Sequence, residues 1–178
     1  MTAIAGFVHN DGKVWIGGDS AAFSERDLSV RADSKVFRNG EFLFGFTSSF
    51  RMGQVLRYKF KPPERHEQEL YTYMVTTFVD AIRQSLKEAG FARKENEMET
   101  GGEFLVGHGG RLFTVYSDYQ IAETMDGYAA CGSASSVVCG ALFASQGMSD
   151  PDARIRLSLN AAEHHNCYVR GPFVVDSI

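Results

Sequence analysis

Strand-forming and helix-forming segments come in blocks along this chain, and their order restricts the possible folds. Two hairpin signals, Asp11-Gly12 and Asn39-Gly40, separate apolar β-rich runs within the first 47 residues. Two helical stretches follow, then a second group of strands, two more helices and a last strand, "FVVDSI". A doubly wound fold would instead alternate strands and helices one by one. The block order therefore favours antiparallel sheets covered by helix layers.

The spacing of apolar residues predicts the first pair of helices. A helical pattern runs from Ser49 to Tyr58, with Ser48 or Ser49 as the N-cap, and Pro62-Pro63 prevents its continuation. A second helix ends at Gly90 and carries an i, i+4 ladder formed by Leu70, Met74, Phe78, Ile82 and Leu86. Both helices therefore have an apolar face to cover a sheet.

The second half of the chain repeats this arrangement. "FARKENEMETGG" is polar and is predicted to be a solvated loop, after which "EFLVGH" and "RLFTVYS" resume strand character. One helix is expected from about Ser135, and another is expected to be capped by Asp150 with Pro151 in its first position. No repeat or linker interrupts the sequence, so residues 1–178 are predicted to form a single domain.

Composition and charge exclude several classes of protein. The formal net charge is −4, which leaves no broad basic footprint for nucleic acid or an anionic membrane. The apolar runs are too short to span a bilayer, and the N-terminus lacks the pattern of a signal peptide. Three cysteines, Cys131, Cys139 and Cys167, give no even disulfide framework. A cytoplasmic protein with reduced thiols is the expectation.

A hydroxyl residue, Thr2, directly follows Met1 at the head of an apolar run. If Met1 is removed, Thr2 carries both a hydroxyl and an α-amine that titrates near neutrality, so one residue would supply nucleophile and base. Such a site also needs a cation to lower the proton affinity of the hydroxyl, and a carboxylate to hold that cation. Asp19, at the end of the second predicted strand, and Lys35, at the start of the third, are the candidates.

Several short stretches resemble the proteasome β-subunit family of N-terminal nucleophile hydrolases, especially its HslV type. They are the Thr after Met1, "GGDS", "SKVF", "FGFTSS" before a helix and "CGSAS" before another. The resemblance implies an α+β fold, a four-layer αββα sandwich with two antiparallel sheets between helix layers. It also implies that Thr2 is the nucleophile, that Asp19 holds Lys35, that Ser133 relays a proton and that the backbone N–H near Ser48 stabilises the oxyanion.

The same resemblance implies a threonine peptidase that hydrolyses peptides or unfolded proteins through an acyl-enzyme, without a cofactor. It implies a homo-oligomeric ring. Any ATP-dependent unfoldase would be a separate partner, because the sequence contains no Walker A motif. No metal site is expected, since the adjacent His164 and His165 would diverge on a helix and no zinc-type spacing is present.

Three departures from the family pattern accompany this resemblance. The first hairpin is one residue longer than usual, the oxyanion loop reads "TSS" where the family favours glycine, and a family aspartate near the site aligns around His165. Two other functions therefore stay open. One is a non-catalytic structural or assembly subunit with the same fold, and the other is an N-terminal nucleophile amidohydrolase that acts on a small amide.

Overall fold

A computed structural model describes residues 2–24, 27–95 and 98–178. Within these residues five α-helices are formed: α1 Phe50–Tyr58, α2 Leu70–Tyr73, α3 Val79–Glu88, α4 Ser135–Ala144 and α5 Pro151–His165. A π-helical turn, Met74–Phe78, joins α2 to α3. The strands are β1 Ile4–Val8, β2 Val14–Gly18, β3 Ala21–Ser24, β4 Asp27–Val30, β5 Val36–Asn39, β6 Phe42–Phe46, β7 Arg93–Glu95, β8 Met98–Thr100, β9 Phe104–His108, β10 Arg111–Val115, β11 Ile121–Ala122, β12 Tyr128–Cys131 and β13 Val174–Ser177.

Two antiparallel sheets form the middle of the molecule. The first has the strand order β12-β1-β2-β13, and the second has the order β11-β10-β9-β6-β5. Helices α4 and α5 pack on the outer face of the first sheet, and α1 to α3 pack on the outer face of the second. The predicted four-layer αββα sandwich is therefore confirmed.

The central strand β1 shows why its sequence is apolar throughout instead of alternating. Ala3, Ala5 and Phe7 pack against α4 and α5, whereas Ile4 packs between the two sheets. Both faces of this strand are thus covered, and residues 2–7 are buried. This strand carries Thr2 at its N-terminal end, so the core fixes the position of the candidate nucleophile.

The turn and cap predictions are confirmed. Gly12 and Gly40 have positive φ angles in their hairpins, and the Asp11 carboxylate accepts a hydrogen bond from the Lys13 N–H. Ser49 caps α1, accepting from the Arg51 N–H, so the cap is Ser49 instead of Ser48. The apolar ladder of the second predicted helix is buried: Leu70, Met74, Phe78, Ile82 and Leu86.

Two hairpins lie where the sequence did not predict strands. β3 pairs with β4 directly after Asp19. β7 pairs with β8 inside "FARKENEMETGG", so the prediction of a loop was wrong for Arg93–Glu95 and Met98–Thr100. Backbone pairing needs no apolar side chains, and the Arg83 guanidinium on α3 anchors Glu99 of β8 at 2.6 Å. Asn96 and Glu97 of this stretch lie outside the described residues.

None of the helices in the described ranges is long and apolar enough to cross a membrane. All three cysteines are free thiols: Cys131 is buried, Cys139 is partly buried and Cys167 is exposed. Burial raises the pKa of the Cys131 thiol well above its ordinary value. This cysteine lies in the strand that pairs with Ile4, and it stays protonated as a core residue.

Candidate active site

Thr2 lies at the N-terminal end of β1 and is only 4% exposed. The β1–β2 register pairs Ile4 with Gly18, and one residue further the Asp19 N–H donates to the Ala3 carbonyl at 3.2 Å. This register returns Asp19 to the level of Thr2. The strand pairing therefore accounts for the arrival of the carboxylate beside the hydroxyl.

Lys35 contacts both of the other predicted residues. Its Nζ lies 3.0 Å from Thr2 Oγ1 and 2.8 Å from Asp19 Oδ1. Lys35 immediately precedes β5, and its carbonyl accepts a hydrogen bond from the Phe46 N–H on β6, which fixes the backbone. The structure thus brings Thr2, Asp19 and Lys35 together, although they come from two different sheets.

Four donors surround the Asp19 carboxylate. Oδ1 accepts from Lys35 Nζ and from the Ala3 N–H at 3.0 Å, and Oδ2 accepts from the Ala21 N–H at 3.0 Å and the Arg170 N–H at 3.5 Å. Because three of these donors are backbone groups, the carboxylate cannot turn without breaking them. Asp19 is therefore a rigid anchor for the ammonium group.

Burial lowers the pKa of Lys35, while the charge of Asp19 and the hydrogen bond to it oppose this shift. The two side chains of this ion pair are 2% and 0% exposed. With so little water around it to screen the charge, the ammonium acts strongly on the groups near it. Thr2 Oγ1 is such a neighbour, so charged Lys35 lowers the proton affinity of the hydroxyl.

The turn after β12 contacts the backbone of Thr2. Gly132 has a φ of +98°, and a Cβ at this position would lie 2.2 Å from the Thr2 carbonyl oxygen. Next to it, Ser133 Oγ lies 3.4 Å from the Thr2 nitrogen and 3.5 Å from the Thr2 carbonyl oxygen. Ser133 is therefore placed beside the predicted base, and only glycine fits at the preceding position.

His165, expected at the periphery of the site, is exposed at the end of α5, with its ring against that of His164. The next residue, Asn166, donates from Nδ2 to the Ser133 carbonyl at 3.2 Å and accepts from the Tyr168 N–H. Asn166 contacts the site through Ser133. The sequence analysis pointed to His165, whereas the side chain that reaches Ser133 is that of the next residue, Asn166.

The Ser48 N–H has no hydrogen-bond partner among the residues that the structure describes. Ser48 has a φ of +69°, and its hydroxyl accepts from the Glu103 N–H at 3.1 Å. It lines a cleft of about 120 Å³ together with Thr2, Lys35, Ala21, Ala22, Phe46 and Phe50. Ser48, whose N–H has no partner among the described residues, thus lines the same cleft as Thr2, as an oxyanion donor would.

Two glycines near the end of β2, Gly17 and Gly18, are needed for packing. A Cβ on Gly17 would lie 2.2 Å from Ile155 of α5, and one on Gly18 would lie 2.7 Å from Ile4. Glycine within a strand is typical of such a close approach, and here neighbouring side chains supply it. The two glycines let the strand that carries Asp19 lie close to its neighbours on both faces.

No group of three or more His, Cys, Asp or Glu side chains within residues 2–24, 27–95 and 98–178 could hold a metal ion. Thr2, Lys35 and Ser48 bring a hydroxyl, an ammonium and a backbone N–H to the cleft, and the Asp19 carboxylate holds the ammonium. The sequence analysis gave no role to Gly132, Asn166 or the Arg170 N–H. Of these three, only Gly132 had a signal in the sequence, because it directly precedes Ser133.

No family model and no curated protein sequence matches the chain. Several solved structures match it over nearly its whole length. Thiobacillus denitrificans BPH in complex with epoxomicin has a TM-score of 0.82 at 20% identity, covering 99% of this chain and 98% of that one. Eukaryotic HslV from Trypanosoma brucei has a TM-score of 0.69 at 17% identity, covering 99% and 98%.

Anbu, an ancestral beta-subunit from Yersinia bercovieri, has a TM-score of 0.65 at 14% identity and covers 99% of this chain and 80% of that one. At such identities the likeness concerns the fold, and it agrees with the sheet orders and helix layers described above. The chain has the αββα fold of the proteasome- and HslV-type N-terminal nucleophile hydrolases.

Proposed function

We propose that this protein is a threonine peptidase that hydrolyses peptide bonds through an acyl-enzyme on Thr2. One observation carries the proposal: Lys35 Nζ is shared between Thr2 Oγ1 at 3.0 Å and buried Asp19 at 2.8 Å, beside a cleft. An ion pair that only stabilised the fold would have no need to contact the Thr2 hydroxyl at the edge of a cleft. A buried cation next to a nucleophile is a functional arrangement.

Acylation begins after removal of Met1, which converts the Thr2 amide nitrogen into an amine able to accept a proton. The hydroxyl oxygen attacks the substrate carbonyl carbon, and its proton passes to this amine. Lys35 favours the developing alkoxide, and the Ser48 N–H donates to the oxyanion. Ser133, 3.4 Å from the Thr2 nitrogen, is placed to relay the proton. The departing amine takes that proton, and an ester on Thr2 remains.

Deacylation uses the same groups in reverse. Water loses a proton to the Thr2 amine and attacks the ester carbon, and the Thr2 oxygen leaves with a proton. Lys35 stabilises this leaving oxygen as it stabilised the attacking one. While Met1 is attached, the Thr2 nitrogen is an amide and is not a base, so the proposal requires processing.

We also propose that the peptidase acts as a homo-oligomeric ring on peptides or unfolded proteins. Two structural neighbours, an HslV and an ancestral beta-subunit, support assembly. A separate ATP-dependent unfoldase would then be needed for folded substrates. Light scattering of the purified protein tests the oligomer, and degradation of an unfolded protein without ATP tests the substrate class.

The peptidase itself is tested with a fluorogenic peptide and two variants at one position. Thr2→Ala should abolish hydrolysis with an unchanged circular dichroism spectrum, whereas Thr2→Ser should keep measurable turnover, because serine also supplies a hydroxyl and an amine. Full turnover by Thr2→Ala would overturn the mechanism. Processed, oligomeric protein that cleaves no peptide but hydrolyses small amides would favour the amidohydrolase. Protein that cleaves neither would be a structural subunit.

A further inference from the structure

We infer that Glu163, in the last turn of α5, is a positioning residue of this peptidase, because it holds the segment of chain that supports Asp19. The inference rests on the function proposed above. Glu163 does not line the cleft at Thr2, so its effect on the reaction has to pass through other residues. The contacts that carry this effect run through Arg170 and Gly171 to the Asp19 carboxylate.

The connection from α5 to β13 passes beside Asp19 without regular secondary structure, over residues 166–173. The Arg170 N–H donates to Asp19 Oδ2 at 3.5 Å, and the Arg170 carbonyl accepts from the Ser20 N–H at 3.0 Å. Ser20 Oγ also donates to the Pro172 carbonyl at 2.6 Å. Three hydrogen bonds therefore join the residues at the end of β2 to this connection.

Glu163 anchors the connection to α5. Its Oε1 accepts a hydrogen bond from the Gly171 N–H at 3.1 Å and lies 3.6 Å from Arg170 Nη1. One carboxylate thus holds both backbone and side chain at the point where the connection meets Asp19. Helix α5 is a fixed support, because Ile155 is fully buried against the first sheet.

Neighbouring parts of the connection are held by a different kind of contact. The Tyr168 ring meets that of Phe23 on β3 edge to face, with centroids 5.2 Å apart. Arg170, in contrast, has an exposed side chain, and Gly171 has none, so polar contacts fix these two residues. At this point of the connection, Glu163 supplies the contact with α5.

The support of Asp19 matters because Asp19 keeps Lys35 charged. Burial lowers the pKa of Lys35, and the charge of Asp19 together with its hydrogen bond opposes this shift. If Asp19 is held less firmly, the ammonium should lose its proton at a still lower pH. Loss of Glu163 should therefore weaken the chemical step at Thr2 and leave substrate binding in the cleft unchanged.

The groups around the ammonium agree with this dependence. Lys35 Nζ contacts the Asp19 carboxylate and the Thr2 hydroxyl. The Arg31 guanidinium lies over a phenylalanine ring that Lys35 Nζ also approaches, but it is paired with Asp33. After processing, the Thr2 amine is a further titratable group beside Lys35. Asp19 is thus the carboxylate in contact with the ammonium, and its placement controls the charge.

The experiment measures kcat and KM against pH for a fluorogenic peptide. Glu163→Ala should lower kcat by about 10-fold, since misplacing a catalytic group by about 1 Å can cost about 100-fold, and it should leave KM unchanged. It should also move the alkaline fall in kcat to lower pH. Glu163→Gln keeps an oxygen for the Gly171 N–H, so it should show smaller changes in the same direction, and it serves if Glu163→Ala does not fold.

Arg156→Ala is the matched control. Arg156 also lies on α5 and donates from Nη1 to the same connection, at the Phe173 carbonyl at 3.1 Å, beyond the residues that contact Asp19. This variant should keep the kcat and the alkaline fall of the unsubstituted protein. It separates the support of Asp19 from a general loosening of the connection.

Two outcomes overturn the inference while the peptidase stands. One is a folded Glu163→Ala protein that has the kcat and pH profile of the unsubstituted protein. The other is a lower kcat with no shift of the alkaline fall, which would make Glu163 a purely structural residue. If the unsubstituted protein cleaves no peptide, or if Thr2→Ala keeps full turnover, the proposed function itself fails and the inference fails with it.

Discussion

Two ion pairs cross between the sheets from the same short stretch of chain, and they differ in how deeply they are buried. Lys35, just before β5, pairs with Asp19 at 2.8 Å, with side chains 2% and 0% exposed. Arg38, within β5, pairs with Asp176 of β13 at 2.7 Å, with side chains 51% and 37% exposed. The distances are nearly equal, so burial is what distinguishes the two pairs.

Burial also gives the two cations opposite pKa shifts. Desolvation lowers the pKa of Lys35, whereas the hydrogen bond to Asp176 raises the pKa of Arg38. A surface pair is screened by water and influences its surroundings weakly. A buried pair has lost its water and acts on the groups it contacts, here Thr2 Oγ1. The same chemistry therefore stabilises a surface at one end of β5 and, under the proposed function, prepares a nucleophile at the other.

Removal of the Lys35 ammonium should have the largest effect. Lys35→Ala leaves the Asp19 carboxylate buried without a cation, and breaking a buried pair in this way typically costs about 3–5 kcal/mol of the free energy of unfolding. Peptide hydrolysis should fall by about 10⁴-fold, as for other members of a catalytic unit. Urea unfolding and steady-state kinetics measure the two effects.

The pair of substitutions Lys35→Ala and Asp19→Asn sharpens this result. Asp19→Asn leaves one oxygen that can accept, so it loses two of the four hydrogen bonds of the carboxylate together with the charge that holds Lys35, and both activity and stability should fall. A Lys35→Ala protein with normal kcat would show that the buried pair is purely structural.

Gly132→Ala should give the next largest effect, because it moves the backbone of Thr2. The new Cβ would lie 2.2 Å from the Thr2 carbonyl oxygen at a φ of +98°, so strain should cost about 1–3 kcal/mol and activity should drop. Gly140→Ala is the control, since nothing lies within 4 Å of its Cβ in α4. This control should gain about 0.5–1 kcal/mol. Equal unfolding midpoints for the two variants would contradict the account.

The pH dependence of peptide hydrolysis tests whether activity depends on the charge of Lys35 and not on that of Arg38. Because burial lowers the pKa of Lys35 below 10.5, its ammonium loses the proton at a lower pH than a free lysine does. Activity that depends on charged Lys35 should therefore fall on the alkaline side before pH 10.5 is reached. The Arg38→Ala variant should show the same alkaline limb, measured as kcat/KM against pH. If the alkaline fall in kcat/KM shifts to another pH in this variant, a group other than Lys35 controls it.

Loss of the surface pair should have the smallest effect. Arg38→Ala should cost about 0.2–1 kcal/mol of the free energy of unfolding and leave peptide hydrolysis within about twofold. Arg38 lowers the pKa of Asp176, so this stabilisation is present above pH 3.8 and is lost as pH falls through the lower folded value. Urea midpoints of the unsubstituted protein and of Arg38→Ala should converge at low pH.

The features that the sequence could predict are those determined by neighbouring residues. Hairpins at Asp11-Gly12 and Asn39-Gly40, the cap at Ser49 and the ladder from Leu70 to Leu86 depend on local chemistry, and their signals lie within a few residues. Thr2, Asp19 and Lys35 could be named because they lie at the ends of three strands predicted near the N-terminus. The β1–β2 register brings Asp19 beside Thr2, and Lys35 reaches both from the second sheet.

Long-range contacts could not be predicted in the same way. The Arg170 N–H reaches Asp19 across 151 positions, and Asn166 reaches Ser133 across 33. These contacts follow from how α5 and its following loop cross the first sheet, which no local pattern encodes. The β7–β8 hairpin was missed for another reason: its sequence is polar, and no apolar alternation marks the two strands that pair there.

The central claim is that Thr2 becomes a reactive N-terminal nucleophile, and intact mass spectrometry with a threonine-directed covalent inhibitor tests it most directly. The unsubstituted protein should have lost Met1 and should gain the mass of one inhibitor molecule per chain. Thr2→Ala, whose small second residue also permits Met1 removal, should gain none. Retention of Met1 in active protein, or equal labelling of both proteins, would contradict the account.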